Sequence, residues 1–338
     1  MERFGEILER AFATPRNIPV ESLAAMLACD DSGFEAELFA AAREMKRRCG
    51  KTETLPRGLI ECSNVCAKDC LYCGIRKSNH AVVRYRLAEE TVLAAIAEAR
   101  RRGYPAVAFQ AGEIESEENT RHYERLLARC GGLEVTLSLG EQTEAVYRRW
   151  KDAGALRYLI RIETSNRQLY ARLHPPTCSF DRRLDCIRTL KRLGYVTGTG
   201  VMIGLPGQTT EDLARDIVFF GDERVDMVGM GPFIPHPETP MGRVEKVEKV
   251  EKVEKVERVE RVEKVERVER VGVALRMIAL TRLYLHGVNI VAATALEALD
   301  PQTGRDRGLS AGANVVMPNL TDPETRRNYD LYPGKADA

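Results

Sequence analysis

The sequence predicts an α/β protein: a (β/α)8 barrel of the TIM type with an N-terminal helical extension. Three observations predict this fold class. Short apolar runs rich in β-forming residues alternate with amphipathic stretches from Leu59 onward, polar residues follow several of these runs, and 338 residues suffice for one barrel of about 250 residues with additions. We expect the helical extension at residues 1–50 and the barrel at residues 51–338.

The N-terminal segment carries helix signals. Ser22 is a candidate N-cap for a short helix. Apolar side chains then recur at i, i+4, i+7 and i+11 from Phe34 to Met45, and Gly50 follows as a typical helix-ending residue. These helices are predicted to plug or flank the barrel.

Eight apolar runs indicate the strands of repeated βα units. They lie at residues 59–64, 106–111, 134–139, 157–163, 196–204, 227–233, 289–296 and 314–318. Helices are predicted between them at residues 88–102, 141–153, 182–193 and 211–220. A closed parallel barrel needs eight such units and places catalysis at the carboxyl ends of its strands. A doubly wound open sheet is the alternative, although the first run leads into cysteines and not into a glycine-rich dinucleotide turn.

An insert at residues 244–270 consists of nine consecutive triplets, each Val-Glu followed by Lys or Arg. A period of three fits neither a helix nor a strand, so the valines make no continuous apolar stripe. Each Glu except the last precedes a basic residue by four positions, as in Glu245 and Lys249, which supports a solvated helix. We interpret the insert as an expanded repeat held as a solvent-exposed helix or a frayed loop. A lid or partner-docking role is the alternative, because the insert follows the sixth strand at its catalytic end.

The charges of the chain nearly cancel, with 51 Lys and Arg against 50 Asp and Glu. No global field therefore attracts nucleic acid or membrane phosphates. Residues 1–5 contain no apolar signal core, and 18 consecutive apolar residues occur nowhere in the sequence. We expect a cytoplasmic protein without nucleic-acid or membrane partners, in reducing conditions that keep its thiols free.

Three cysteines, Cys66, Cys70 and Cys73, stand within eight residues of one another. Three thiolates in this spacing can hold three irons of a 4Fe-4S cube, and the missing fourth ligand leaves one iron free to bind another molecule. Structural zinc is the alternative, but no second Cys or His pair completes a tetrahedron. A disulfide framework is disfavoured by an odd total of nine scattered cysteines. Cys62 is either a core-facing strand residue, which we favour, or a fourth ligand.

The chain resembles the radical S-adenosylmethionine (SAM) enzymes and, among them, the HydE family of FeFe-hydrogenase maturases. The resemblance covers about residues 50–335 and is interrupted by the triplet insert. Its motifs are Ser63-Asn64-Val65-Cys66, Cys70-Leu71-Tyr72-Cys73-Gly74-Ile75-Arg76, Arg84-Tyr85-Arg86, Gln110-Ala111-Gly112-Glu113, Leu137-Ser138-Leu139-Gly140-Glu141, Gly204-Leu205-Pro206-Gly207-Gln208-Thr209, 226–237, 312–318 and Leu331-Tyr332-Pro333-Gly334-Lys335.

The resemblance implies one 4Fe-4S cluster, ligated by the three cysteines, whose free iron is chelated by the methionyl amine and carboxylate of SAM. One electron from the cluster then releases a 5′-deoxyadenosyl radical, which needs a dry, enclosed site. Glu113 would accept from the methionyl ammonium and Arg183 would pair with its carboxylate. The other implied SAM contacts are Gly112 at a close backbone approach, Glu163 at the ribose, Ser138 on the same rim and Tyr72 against adenine, with the turn near Gly204 on the adenine side.

On the substrate side, the resemblance points to Arg161 as the group that grips an anion, since a guanidinium offers a fixed fork. The supporting candidates are Gln110, Met227, Thr294, Tyr329 and Tyr332. Each of these could instead be structural, as an ion pair at a strand end or as core packing. The histidines receive no catalytic role: His236 is interpreted as structural, and His80, His122, His174 and His286 as surface or loop residues.

The chain departs from the family pattern at Ile162, where relatives have His, and at Ala293, where many have Thr. Some relatives carry extra C-terminal cysteines for a second cluster, but none follows Cys186 here, so one cluster is predicted.

The implied function is maturation of the FeFe-hydrogenase di-iron subcluster. The substrate would be an iron complex carrying cysteine, CO and cyanide made by HydG, the product would pass to HydF, and ferredoxin or flavodoxin would supply electrons. The alternatives are methylornithine synthase (a lysine mutase), a biotin synthase-like enzyme, and a non-catalytic iron-sulfur carrier.

Overall fold

The computed structural model describes residues 4–243 and 256–335, with side chains described for residues 4–243 and 267–335. Within these residues the parallel strands are β1 (Leu55–Ser63), β2 (Ala106–Ala111), β3 (Glu134–Ser138), β4 (Ala155–Leu159), β5 (Val196–Thr199), β6 (Met202–Ile203), β7 (Met227–Pro232), β8 (Asn289–Ala292) and β9 (Val315–Val316). Their order is β5-β4-β3-β2-β1-β9-β8-β7-β6, and β5 also pairs with β7. This second pairing closes the sheet into a barrel.

Strands β5 and β6 are two parts of one barrel strand. Both pair with β7, through Gly198 with Met227 and through Met202 with Gly231. Gly200 lies between them, and a Cβ at this position would come within 1.7 Å of the Gly229 carbonyl oxygen. The backbone at Gly200 thus approaches β7 too closely to leave room for a side chain. This close approach interrupts the fifth barrel strand without ending it.

Helices cover the outside of the barrel. The three N-terminal helices are α1 (Phe4–Ala13), α2 (Val20–Ala28) and α3 (Ser32–Arg48). The remaining helices, within the described part of the chain, are α4 (Glu89–Arg101), α5 (Glu117–Ala128), α6 (Glu144–Asp152), α7 (Arg167–Leu173), α8 (Phe180–Arg192), α9 (Thr210–Asp222), α10 (Val256–Leu285), α11 (Thr294–Leu299), α12 (Gly304–Ser310) and α13 (Pro323–Arg326). The predicted fold class is therefore confirmed, with each of the eight apolar runs overlapping a strand of the barrel.

The N-terminal helices flank the barrel and do not plug it. Helix α2 packs on α9, and α3 packs on α10. Arg276 of α10 joins the two layers, because its guanidinium lies 2.6 Å from Glu35 and donates to the Leu27 carbonyl oxygen at 3.1 Å. The predicted Ser22 cap is wrong: α2 has Pro19 at its N-cap, so Ser22 lies inside the helix. Proline is accepted at this position because its fixed φ is compatible with the start of a helix.

The triplet insert falls partly outside the described residues. Residues 244–255 are not described, whereas residues 256–270 belong to α10. Val268 is 67% exposed. For the last triplet, residues 268–270, the structure agrees with the predicted solvent-exposed helix. The lid and docking interpretations stay predictions.

Among the described helices, none is both long enough and apolar enough to cross a bilayer.

Candidate functional site

A cavity of about 320 Å³ opens at the carboxyl ends of the strands and extends into the barrel. Fourteen of the fifteen predicted site residues line it: Cys66, Cys70, Tyr72, Cys73, Gln110, Gly112, Glu113, Ser138, Arg161, Glu163, Arg183, Thr294, Tyr329 and Tyr332. Residues that are as much as 266 positions apart in the sequence therefore share one cavity.

Met227 is the exception, and its predicted place in the site is not what the structure shows. It is the first residue of β7 and pairs with Gly198 and Asn289, so it lies at the amino end of the barrel. There it packs with Val291 and Val315. The sequence motif spans the whole strand, and only its carboxyl end reaches the cavity.

The cysteine loop follows β1 and is held by Arg84. The guanidinium of Arg84 donates to four backbone carbonyl oxygens, those of Asn64 at 2.7 Å, Ile75 at 2.8 Å, Arg76 at 2.6 Å and Asn79 at 3.0 Å. A planar guanidinium offers enough donors to hold several chain segments at once. Arg84 therefore fixes the path of the chain on both sides of the cysteines.

Two glycines allow other segments to approach this loop closely. A Cβ at Gly112 would lie 2.3 Å from the Val65 carbonyl oxygen, and a Cβ at Gly74 would lie 1.9 Å from that of Asp330. Gly112 was expected to admit the cofactor to the backbone, but the group it admits here is the cysteine loop itself. The segment at Asp330 closes over the loop from the opposite side, where Gly74 N–H donates to the Leu331 carbonyl oxygen at 3.0 Å.

The three thiols occupy an environment suited to ligands of a buried cluster. Cys66 Sγ accepts from the backbone N–H of Lys68 at 3.4 Å and of Glu113 at 3.3 Å, which orients it toward the cavity rim. Burial raises the pKa of Cys66, raises that of Cys73 to about 12 and raises that of Cys70 well above its usual value. A bound metal would replace the protons that burial otherwise retains.

The described cysteines fit a cubane better than a single ion. Among residues whose side chains are described, no three His, Cys, Asp or Glu groups converge closely enough to enclose one metal ion. In a cubane each thiolate has to reach only its own iron, so a wider spacing is sufficient. Cys62 is buried within β1 and directs its thiol toward the Ile60 carbonyl oxygen at 3.5 Å, in agreement with the strand interpretation.

Beside the cysteines, acidic and basic side chains alternate. Lys68 Nζ lies 2.9 Å from Glu113 Oε1 and 3.2 Å from Glu141 Oε2, while Arg183 Nε donates to Glu141 Oε1 at 2.7 Å. Burial raises the pKa of Glu113. Burial also acts on Glu141, but Arg183 and Lys68 together hold the pKa of that carboxyl below its usual value.

Lys68 and Glu141 were not predicted as site residues. Lys68 lies between Cys66 and Cys70 in the sequence, and Glu141 ends the Ser-Leu-Gly-Glu motif after β3. Both positions were visible as parts of motifs. The contact between them joins residues 73 positions apart and requires the barrel to be formed.

Arg161 and Glu163 form an ion pair after β4. Arg161 Nε donates to both Glu163 carboxylate oxygens, at 3.1 and 3.0 Å, and its Nη2 donates to the Val201 carbonyl oxygen at 2.8 Å. The two residues were predicted to face different ligands. Glu163 has a φ of +68°, in the left-handed region that most non-glycine residues avoid. This backbone turn presents its carboxylate to the cavity.

Asp216 supports the turn that carries Glu163. Its Oδ1 accepts from the backbone N–H of Ser165 at 2.6 Å, whereas its buried Oδ2 has no hydrogen-bond partner among the described groups. Burial raises the pKa of Asp216 to about 7. A protonated Oδ2 avoids the cost of an unpaired buried charge.

His174 lies in the loop that follows α7, as one of its two interpretations expects, but it is buried beside Tyr72 and is not a surface residue. Its Nδ1 donates to the Tyr170 carbonyl oxygen at 2.9 Å, which leaves Nε2 to accept from the Tyr72 hydroxyl at 3.3 Å. Burial lowers the pKa of His174 to about 4, so its ring is neutral. His236 is buried as well, and its Nε2 donates to Asp330 at 3.0 Å while Nδ1 accepts from Glu238 N–H, as a structural role requires.

Another part of the cavity lining, here called the hydroxyl wall, carries the hydroxyl groups of Thr294, Tyr329 and Tyr332 beside apolar side chains such as Ala295 and Met317. The Thr294 and Tyr332 oxygens are 2.6 Å apart, and burial raises the pKa of Tyr332 to about 12. Lys335 pairs with buried Glu61 and lies 4.9 Å above the Tyr329 ring. Gln110 and Ser138 are register partners on β2 and β3, so their side chains share one face of the sheet.

The chain matches the Radical SAM superfamily over residues 60–220. It is 40% identical over 336 residues to the [FeFe] hydrogenase maturase subunit HydE of Thermotoga maritima, which covers 98% of this chain and 88% of that protein. It is 24% identical over 337 residues to 3-methylornithine synthase of Methanosarcina acetivorans, covering 98% and 87% of the two chains. The crystal structure of methylornithine synthase (PylB) has a TM-score of 0.77 at 21% identity, covering 92% of this chain and 85% of that one, a likeness of fold.

Proposed function

Because this chain belongs to the radical SAM superfamily, within the HydE family of hydrogenase maturases, we propose that it cleaves SAM at a 4Fe-4S cluster held by Cys66, Cys70 and Cys73. We further propose that it acts on a cysteine-ligated iron-CO-cyanide precursor of the FeFe-hydrogenase di-iron subcluster. The observation that carries the proposal is the single cavity shared by the three cysteines, the charged rim and the hydroxyl wall.

The cysteine side of the cavity offers partners for the two charged groups of the amino-acid end of SAM. When bound, the cluster supplies the electron that breaks the bond between the sulfonium and C5′. Glu113 would accept from the methionyl ammonium. Arg183 would meet the carboxylate with the N–H groups that Glu141 and the Arg161 carbonyl oxygen leave available.

The adenosyl portion of SAM would extend along β4 and the Tyr72 loop. Glu163 would accept from the ribose hydroxyls, with its orientation fixed by Arg161 and by the strained turn. Tyr72 would lie against adenine, and its hydroxyl is already bound to neutral His174, so the ring keeps one orientation. Gly112 and Ser138 line the remaining rim.

The hydroxyl wall would receive the substrate. Arg161 also faces the cavity and would attract an anionic cyanide-bearing complex, while Gln110, Thr294, Tyr329 and Tyr332 offer neutral hydrogen bonds. Neutral donors suit a ligand whose charge is spread over cyanide nitrogens. The chain segment at Asp330 and Leu331, which closes over the cysteine loop, would limit the access of water to a reactive radical.

This function implies functional links to the maturases HydG and HydF and to a ferredoxin or flavodoxin as reductant. A matching [FeFe] hydrogenase maturase is the relative that supports these links. They belong to the proposal and follow from the substrate, which must be delivered to the cavity and removed from it.

Anaerobic reconstitution with iron and sulfide tests the proposal. Reduction in the presence of SAM and the cysteine-ligated iron complex should produce 5′-deoxyadenosine or an adenosyl adduct. Stimulation by lysine in place of the complex would instead support a lysine mutase. A Glu163→Ala variant that performs its task at full rate would indicate a carrier, because a carrier has no need of a ribose contact.

A further inference from the structure

Lys68 lies between two cluster cysteines in the sequence and between two carboxylates in space. Its Nζ is 2.9 Å from Glu113 Oε1 and 3.2 Å from Glu141 Oε2. The Lys68 side chain is 21% exposed, and those of Glu113 and Glu141 are 7% and 0% exposed. Attraction between these groups is therefore screened less than it would be at an open surface.

Glu113 and Glu141 depend on Lys68 to different degrees for a cationic partner. Glu141 also contacts Arg183 at 2.7 Å and Arg182 at 3.2 Å. For Glu113, Lys68 is the one ion-pair partner found among the described side chains, and the contact lacks the alignment of a hydrogen bond. If Lys68 left Glu113, Glu141 would keep two arginines as ion-pair partners. Glu113 would keep the longer-range attraction of Arg183 but no direct ion-pair partner among the described side chains.

Only one carboxylate oxygen of Glu113 is placed to exchange Lys68 for another cation. A Cβ added to Gly140 would lie 2.2 Å from Glu113 Oε2, so this oxygen packs against the Gly140 backbone. Oε1 is the atom that Lys68 contacts. An incoming ammonium group and Lys68 therefore compete for the same carboxylate oxygen.

We infer that Lys68 is a positioning residue that holds Glu113 ready before SAM binds and then yields Glu113 to the ammonium group of SAM while it stays on Glu141. The inference rests on the proposed function, because the competing ammonium belongs to SAM. It also couples the SAM pocket to the cluster loop, since the Lys68 N–H donates to Cys66 Sγ at 3.4 Å and the Lys68 carbonyl oxygen accepts from Lys77 N–H at 2.8 Å.

Competition predicts that the loss of the Lys68 charge tightens SAM binding. In the anaerobically reconstituted enzyme, Lys68→Met should lower the Kd for SAM by roughly tenfold, because a charge close to the carboxylate no longer has to be displaced. Lys68→Arg keeps a cation at the carboxylates and should bind SAM within about twofold of the wild type. Lys77→Met removes an exposed lysine of the same loop and is the matched control.

A SAM analogue that lacks the amino group separates competition from a general charge effect. Wild type and Lys68→Met should bind this analogue with equal affinity, since it does not need Glu113. Equal tightening for SAM and the analogue would overturn the inference, as would unchanged or weaker SAM binding by Lys68→Met.

Iron content, melting temperature and the electron paramagnetic resonance (EPR) spectrum of the reduced cluster without SAM report whether the variant is intact. If Lys68→Met fails to load the cluster while Lys77→Met loads it normally, Lys68 is structural and the inference is wrong. If the wild-type enzyme itself binds no SAM, the proposed function fails instead. The two failures are thus distinguishable.

Discussion

The two walls of the cavity are built by different means. The cysteine wall is a network of charges in which Lys68, Glu113, Glu141 and Arg183 alternate in sign, supported by Arg84 and its four carbonyl contacts. The hydroxyl wall offers neutral hydroxyls, such as the Thr294 and Tyr332 pair. SAM carries an ammonium, a carboxylate and a sulfonium, so it is best held by fixed charges. A ligand whose charge is dispersed is better held by donors that cost little to desolvate.

The strongest test of this contrast removes the support of the cysteine wall. Arg84→Met deletes four charge-assisted hydrogen bonds, each of about 1.5 to 3 kcal/mol when its partner is left buried. We expect iron bound per chain to fall several-fold, with a lower melting temperature. Iron analysis after reconstitution measures this outcome.

Arg86→Met is the matched control, since Arg86 is partly exposed and its nearest carboxylate, on Glu118, is 4.0 Å away. Full iron loading in Arg84→Met would show that the loop holds its path without the guanidinium.

A second test removes one charge from the SAM rim. Glu163→Gln should weaken SAM binding by roughly thirtyfold, about 2 kcal/mol, because a charged acceptor for the ribose is lost and Arg161 loses its partner. Equilibrium binding to the reconstituted enzyme gives the Kd. Glu211→Gln, at an exposed glutamate of α9, should leave the Kd unchanged. Equal affinities for Glu163→Gln and wild type would remove Glu163 from the SAM contacts.

Asp216 supports the turn that carries Glu163, and its contribution to the free energy of unfolding should depend on pH. The pKa of Asp216 is raised from 3.8 to about 7 in the folded protein, so between these values the folded state binds a proton that the unfolded state has lost. This group therefore makes stability fall as pH rises from about 4 to about 7, with no further change above that range.

Asp216→Asn cannot ionise, so its stability relative to wild type should rise over the same range, by up to about 4 kcal/mol for a pKa shift from 3.8 to about 7. Urea unfolding at pH 5 and pH 8 measures the difference. A gap between variant and wild type that does not widen with pH would show that Asp216 is ionised in the folded protein.

The smallest effect is expected at the hydroxyl wall. Tyr332→Phe removes one neutral hydrogen bond, to Thr294, worth about 1 kcal/mol. The KM for the iron complex should rise roughly fivefold, while the Kd for SAM stays the same. Thr294→Val should give a similar KM, and the double variant should add little, because both changes break one contact. A change in SAM affinity would mean that the hydroxyl wall also contributes to SAM binding.

The fold could be predicted because its signals are local. Apolar runs mark strands wherever both faces are buried, and β2 was predicted at its observed bounds. The split of the fifth strand was not visible, since it depends on the approach of Gly200 to Gly229 in space. The α2 boundary was misjudged because serine is a common N-cap residue, but the N-cap is Pro19 and the helix begins at Val20.

The cavity was predictable where contiguous motifs form it. The cysteines and Glu113 lie in short motifs near strand ends. Pairings across the barrel were not predictable, so Lys68 was missed and Arg161 was not expected to bind Glu163. Met227 was misplaced because a motif shows that a strand reaches the site and does not show which of its residues does.

The most direct test of the central claim is the EPR spectrum of the reduced, anaerobically reconstituted protein with and without SAM, together with its iron content. We predict four irons per chain, a 4Fe-4S signal that changes when SAM is added, and loss of that signal in Cys66→Ala, Cys70→Ala and Cys73→Ala. A single tightly bound zinc, or a cluster whose spectrum is the same with and without SAM, would contradict the account.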